Sequence, residues 1–143
     1  MAVTVTLYNI TRQSFLSGLN AEGDSYKINL YSALPANATA TTKAEAESGA
    51  TQIATANGYT QDTKVLTGVT TTIVSTTNAK FDADDVSWTA SGGSIAAAFA
   101  LVYNDTDTSD PPVLRIDFGG TVTATTGIPL VITWNASGIL TLS

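Results

Sequence analysis

The carboxylates of this chain are its best candidates for chemistry. Oxygen ligands of the kind that Ca²⁺ prefers occur together in the run Asp105-Thr106-Asp107-Thr108-Ser109-Asp110. An EF-hand also needs Gly at the sixth position and Glu at the twelfth, where this chain has Asp110 and Ile116. A looser calcium site stays open as an alternative. The sequence favours a solvated hairpin tip in which Asp and Asn bond their own backbone.

Two further sets of residues could hydrolyse or bind a carbohydrate. Asp82, Asp84 and Asp85 could hydrolyse a glycosidic bond if two of them lay about 5–10 Å apart around a sugar. Neighbours in sequence do not provide that spacing, so we interpret them as an acidic turn between strands. Trp88 and Trp134 could stack on sugar rings, but both fall within strand patterns, which favours positions in the core.

The side chains that activate nucleophiles are absent or scattered. There is no His and no Cys, which removes His-based triads, thiol nucleophiles, disulfides and zinc fingers. No Ser-x-x-Lys arrangement or Gly-rich phosphate loop occurs, and the lysines lie far apart, at Lys27, Lys43, Lys64 and Lys80. We therefore expect no enzymatic activity, no catalytic residue, no cofactor and no metal.

The composition describes a single acidic domain. The 143 residues suit one domain, and their net charge is −6. Charged residues make up 13% of the chain, against about 25% in ordinary proteins, and 25 Thr fill much of the gap. A surface of this sign repels nucleic acid and anionic membranes, so neither is an expected partner. No apolar run reaches the roughly 18 residues of a membrane span, and no secretory signal is indicated.

Residues 1–20 are predicted to form a short arm followed by a small helix. Thr11 would cap this helix, and Gly18 lies near its end. A helix of two or three turns is unstable alone in water, so it must pack on its own sheet or on a neighbour. Apolar side chains recur near one helical face, at Tyr8, Phe15, Leu16 and Leu19.

The next two segments differ in character. Residues 25–32 alternate strictly, with Tyr26, Ile28 and Leu30 on one face, which predicts a strand with one buried and one wet face. Residues 35–56 are rich in Ala, Thr and Glu and have little that is apolar to bury. A helix near residues 43–47 is an alternative, but we predict an exposed, mobile loop and a candidate contact region.

The remainder of the chain alternates short apolar runs with turns at intervals of about 8–12 residues, as sandwiches and barrels do. Residues 95–103 are predicted to be the central strand, covered on both faces, with a buried helix as the alternative. Gly119-Gly120 is predicted to turn the chain. The predicted fold is a single all-β domain over residues 1–143, an antiparallel β-sandwich or jelly-roll-like fold with one short N-terminal helix.

Seven short motifs then follow one another in a suggestive order. After the helix come YKINLYSA (26–33), NGYT (57–60), LTGVT (66–70), VSWTA (86–90), LVYNDT (101–106), IDFGG (116–120) and ITW (132–134). In this order they resemble small virion structural proteins of tailed bacteriophages, which are similar to capsid decoration (cement) proteins. The resemblance spans residues 8–142, although residues 35–56 are longer than the insert that it leads us to expect.

The resemblance implies a non-enzymatic, symmetric, sandwich-like virion component. The leading hypothesis is a capsid decoration protein, a homotrimer made in the host cytoplasm. It would bridge major capsid protein subunits on the outer surface of the phage head. Residues 2–8 and 35–56 are its predicted contact regions. Two alternatives remain: a tail or fibre component that acts as a receptor-binding or adaptor module, and a carbohydrate-binding module that uses Trp88 or Trp134.

Overall fold

The computed structural model describes residues 3–17, 22–73 and 79–142. Leu19 and Gly18, both placed by the sequence in or near the first helix, lie outside them, as does the side chain of Leu16. In chain order the elements are β1 (Thr4–Leu7), α1 (Asn9–Ser17), β2 (Tyr26–Ala33), α2 (Lys43–Ala46), β3 (Thr51–Gln52), β4 (Thr70–Ile73), β5 (Ala79–Asp82), β6 (Val86–Thr89), β7 (Ile95–Asn104), β8 (Pro112–Ala124), β9 (Pro129–Ile132) and β10 (Leu140–Leu142).

The strands form antiparallel sheets in a sandwich-like arrangement, so the predicted fold class is confirmed. One layer is a five-stranded sheet of order β1-β8-β7-β2-β3. The second layer consists of a three-stranded sheet, β10-β5-β4, and a two-stranded ribbon, β6-β9. Strand β7 occupies the middle of the large sheet, and most of its side chains on both faces are buried, as the apolar run at residues 95–103 predicted.

The main core lies between the two layers. Tyr26, Ile28 and Leu30 are fully buried on the inner face of β2, as their alternation predicted. Phe81 of β5 meets Tyr26 edge-on with 5.1 Å between ring centroids, a favoured arrangement for aromatic pairs. Phe15 of α1 contacts the same Phe81 ring at 5.6 Å, which attaches the short helix to the core.

The outer face of β2 is also buried, contrary to the prediction of a wet face. Asn29 and Tyr31 are fully buried there. A second apolar cluster covers this face, built largely from Tyr8 and from residues that follow β2, among them Leu34, Ala40 and Ala46. The sequence pattern did not indicate this cover because its alanines are small and follow no strong period.

The predicted exposed loop at residues 35–56 is only partly correct, because most of these residues are exposed but they include α2 and β3. Thr42 caps the four-residue helix α2, its side chain accepting a hydrogen bond from the backbone N–H of Glu45. Ala40 and Ala46 are buried and β3 pairs with the end of β2, so the segment is attached to the sheet at these points. Close packing of small side chains supplies the burial that their size alone did not suggest.

Two predictions near the N-terminus are also corrected. Thr11 is not the cap of α1 but lies inside it, fully buried, and its hydroxyl lies within hydrogen-bond distance of the carbonyls of Pro112 (2.9 Å) and Val113 (2.7 Å). Residues 4–7 are not a free arm, because they form β1 and pair with β8 in an antiparallel register. The sequence of this stretch has little apolar patterning, but its backbone pairing with β8 holds it as a strand.

Gly119-Gly120 does not turn the chain, because β8 continues through both residues to Ala124. Asp117 pairs with Phe99 and Val122 pairs with Ala97, so the stretch of β8 between these pairs is longer than the facing stretch of β7. The positive φ of Gly119 (76°) lets β8 absorb this bulge and then resume pairing.

Candidate functional site

Strand β1 is an edge strand of the five-stranded sheet, with β8 as its neighbour. The amide of Tyr8 donates a hydrogen bond of 3.3 Å to the carbonyl of Val113. This bond shows which residues of the strand direct their backbone groups towards β8. Bonded and non-bonded positions alternate along an antiparallel pair, so every second backbone amide and carbonyl faces away from β8. The positions that face the free edge are Val3, Val5 and Leu7.

An apolar groove of about 370 Å³ runs beside this edge, and we call it the β1 groove. Val3, Val5 and Val131 are 61%, 51% and 51% exposed, so three of the most exposed large apolar side chains share one site. None of the described residues that line the groove is a Lys, Arg, Asp or Glu. Its walls and floor include Val3, Val5, Phe118, Val131, Trp134 and Ile139.

The acidic turn between β5 and β6 is connected to the β1 groove through Trp134. Asp85 accepts a hydrogen bond of 2.9 Å from the backbone amide of Trp134, and the indole of Trp134 donates to the carbonyl of Asp84, also at 2.9 Å. The side chain of Asp84 bonds the hydroxyl of Thr67, and Asp82 forms an ion pair with Lys80 at 3.0 Å. Each carboxylate thus has a different partner, and all three shape the turn.

The two tryptophans have different environments. Trp88 is 5% exposed and packs against Tyr59, with 6.2 Å between ring centroids, so its predicted core position is confirmed. Trp134 is half-buried and lines the β1 groove. Its predicted core position is only partly correct, because β9 ends before Trp134 and the side chain packs against the main core while it also lines the groove.

The loop at residues 105–110 is held by its own polar groups. Asp105 forms an ion pair with Lys27 at 2.8 Å, and Asp107 accepts bonds from the amide and hydroxyl of Ser109 at 2.9 and 2.7 Å. These hydrogen bonds lower the pKa of Asp107. Over residues 3–17, 22–73 and 79–142, no group of three or more potential side-chain ligands is placed to hold a metal ion.

A polar network that the sequence patterns did not predict lies between α2 and the outer face of the large sheet, and it extends from the buried Asn29 and Tyr31 to the exposed Asp62. We call it the α2 cluster. Asp62 contacts the ammonium of Lys43 and accepts hydrogen bonds from Asn29 (2.5 Å) and from the phenol of Tyr103 (3.3 Å). Its members are Asn29, Tyr31, Lys43, Glu47, Asp62 and Tyr103. The clearest signal for it in the sequence was Tyr31, an aromatic on the face predicted to be wet.

The surroundings of Asp62, Tyr31 and Tyr103 in the α2 cluster shift their pKa values. Burial alone would raise the pKa of Asp62, but hydrogen bonds from Lys43 and Asn29 outweigh it and hold that pKa below its usual value. Burial raises the pKa of Tyr31 and of Tyr103, and the neighbouring carboxylates add to the effect. The network therefore contains an ionised Asp62, which accepts hydrogen bonds, and neutral phenols, which donate hydrogen bonds to carboxylates. This arrangement suits a structural role.

Comparison of the chain with protein-family models, with curated proteins and with solved structures gave no match. Within the described part of the chain, no helix is long and apolar enough to cross a membrane. The strongest functional feature is therefore the β1 groove, which contains residues 3 and 5 of the predicted contact region 2–8. Ala2 lies outside the described residues.

Proposed function

We propose that this chain is a capsid decoration protein of a tailed bacteriophage. It would bind the outer surface of the head and bridge major capsid protein subunits without catalysing a reaction. The β1 groove is the observation that supports the proposal best, because it is an uncharged apolar surface beside a free sheet edge on a chain of net charge −6. Apolar patches of this kind are typical of protein contacts.

The energetics favour attachment to a repeating lattice. Covering the exposed half of Val3, Val5 or Val131 contributes about 1 kcal/mol each, so one groove binds weakly on its own. Linking three copies in a trimer converts weak contacts into strong attachment without any new contact. Cyclic threefold symmetry would also match the local threefold positions of a capsid.

Binding to empty heads tests the proposal directly. Head shells that lack this protein are mixed with the purified chain and sedimented, and the bound fraction is measured. We expect saturable binding of the wild type, weaker binding of Val5→Thr and Val131→Thr, and unchanged binding of Val65→Thr. Val65 is a matched control because it is also exposed (42%) but lies outside the groove.

Reconstruction of the intact virion separates the head from the tail. Density for this chain over the head supports decoration, whereas density on the tail or fibre supports the alternative adaptor or receptor-binding role. Absence of the chain from purified virions rejects both. Sedimentation of the free protein tests the homotrimer, which a strict monomer at micromolar concentration would contradict.

A carbohydrate-binding module remains the second candidate because Trp134 presents an aromatic surface in a groove that also contains Thr133 and Asn135. Stacking on a sugar ring would change the fluorescence of Trp134. Screening against an array of glycans, with Trp134→Leu as the comparison, tests this candidate. Silence of the wild type on the array dismisses it.

A further inference from the structure

We infer that the β1 edge accepts an extended strand from the partner protein, which becomes a sixth strand of the five-stranded sheet. The inference deepens the proposed function and rests on it for the identity of the partner, the major capsid protein. The outward amides and carbonyls of Val3, Val5 and Leu7 supply the main-chain hydrogen bonds. This mode of recognition gives affinity through the backbone and specificity through pockets for alternate side chains.

Among the residues that the structure describes, the β1 edge lacks the features that usually prevent strand addition. Edge strands are commonly blunted by Lys, Pro, a bulge or a covering segment. Strand β1 contains only Thr, Val and Leu, and its pairing with β8 runs without a register shift. An unprotected edge that also adjoins an apolar groove is suited to receive another strand.

The β1 groove sets the side chains that the added strand must carry. Alternate residues of a strand share one face and repeat about every 7 Å, so the incoming strand directs every second side chain into the groove. The apolar lining, which includes Val5, Val131 and Phe118, favours apolar side chains on the incoming strand. The required pattern is apolar and polar residues in alternation.

The charges near the β1 edge indicate whether a partner protein or a second copy of the chain binds there. The Asp85 carboxylate accepts a hydrogen bond from the amide of Trp134, which lines the groove, and the described lining residues include no cation. Strand β1 itself carries no Lys or Arg, so the same edge of a second copy would offer no cation to this carboxylate. The fitting occupant is therefore a partner strand that carries Lys or Arg beside its apolar residues.

A proline at position 5 tests the backbone contact. Val5→Pro removes one outward amide and leaves the bonds to β8 intact, because proline is tolerated where a strand amide faces away from its sheet. The matched control is Ile73→Pro. Thr71 of the edge strand β4 donates its amide to Glu22 rather than to β5, so the amide of Ile73, two residues later, also faces outward. Circular dichroism and thermal melting check that both variants fold.

Head-shell binding and a synthetic peptide provide two independent readouts. We expect Val5→Pro to bind shells about tenfold more weakly than Val5→Thr, which also loses the apolar side chain but keeps the amide, as the loss of about one hydrogen bond implies. The probe peptide is Lys-Val-Thr-Val-Thr-Val-Lys with blocked termini, and its twin carries Glu in place of Lys. The Lys peptide should slow hydrogen exchange of the Val5 amide, measured by NMR, and the Glu peptide should do so less at low ionic strength.

The outcomes distinguish the two claims. Shells that bind the wild type, and that bind Val5→Pro as tightly as Val5→Thr, would overturn strand addition and leave the proposed function standing. Shells that bind none of them reject the proposed function, and the peptide then decides strand addition alone. An unchanged exchange rate at Val5 with the peptide overturns the inference. So does a wild-type dimer that Val5→Pro dissociates, because that result assigns the edge to a second copy.

Discussion

The phenol of Tyr31 donates a hydrogen bond of 2.5 Å to the carboxylate of Glu47, and this contact ties the outer face of the large sheet to the end of α2. A neutral donor and a charged acceptor form a stronger bond than two neutral groups do. Burial raises the pKa of Tyr31, and Glu47 raises it further, so the phenol keeps its proton. The segment that contains α2 is therefore fastened to the sheet, and its exposed side chains present a fixed surface.

Removing the hydroxyl of Tyr31 should cost stability. We expect Tyr31→Phe to lower the free energy of unfolding by about 2 kcal/mol, the usual worth of a buried hydrogen bond to a charged group. Denaturant unfolding followed by circular dichroism measures the change. Tyr8→Phe is the matched control, because Tyr8 is equally buried and its hydroxyl has no hydrogen-bond partner among the described residues. Equal losses in the two variants would contradict the assignment.

Asp62 should make stability depend on acid pH. Its folded pKa lies below the unfolded value of about 3.9, so its contribution is present above that pH and is lost as the pH falls through the folded value. We expect Asp62→Asn to flatten the fall in unfolding free energy below about pH 4. Asn also tolerates the positive φ of this position (58°). Lys43→Gln should flatten the same fall, whereas an unchanged slope in both variants would count against the network.

Tyrosine ionisation should control alkaline unfolding. All five tyrosines are buried, and burial is the main cause that raises the pKa of each. Unfolded phenols titrate near pH 10, so stability is complete below about that pH and falls as the pH rises towards the folded values. We expect tyrosinate absorbance to appear in one step together with loss of circular dichroism. Gradual ionisation near pH 10 in a folded protein would show that the phenols are accessible.

Large apolar side chains account for what the sequence predicted. The alternation of Tyr26, Ile28 and Leu30 identified β2 and its inner face, and Trp88 was correctly assigned to the core. Residues 95–103 identified the central strand because a run buried on both faces needs no polar alternation. These signals are local, since each depends only on the order of neighbouring residues.

The missed features depend on contacts between distant parts of the chain. Ala46 carries no periodic signal, so the cover over the outer face of β2 could not be seen from it. The α2 cluster joins Asn29 to Asp62, and the β1 groove joins Val5 to Trp134. Which polar residues meet, and which apolar residues stay exposed, is decided by the packing of the layers and not by spacing in the sequence.

The turn at residues 56–59 offers a final test of packing. Gly58 has a φ of 90°, and a Cβ there would lie 2.2 Å from the carbonyl oxygen of Thr89. Gly92 has a similar φ of 76° but open space around it, and Gly23 has neither constraint. Ala at these three sites therefore separates the cost of backbone strain from the cost of collision.

We expect Gly23→Ala to leave the free energy of unfolding within about 0.5 kcal/mol of the wild type, as at an unconstrained surface site. Gly92→Ala should lose about 1–2 kcal/mol through its left-handed backbone alone. Gly58→Ala should lose about 1–3 kcal/mol more than Gly92→Ala, because Thr89 belongs to the paired strand β6 and cannot retreat without disturbing it. Denaturant unfolding of the three variants measures these differences. Equal losses for Gly58→Ala and Gly92→Ala would mean that the turn moves freely away from β6, and that Tyr59 does not depend on this contact for its place against Trp88.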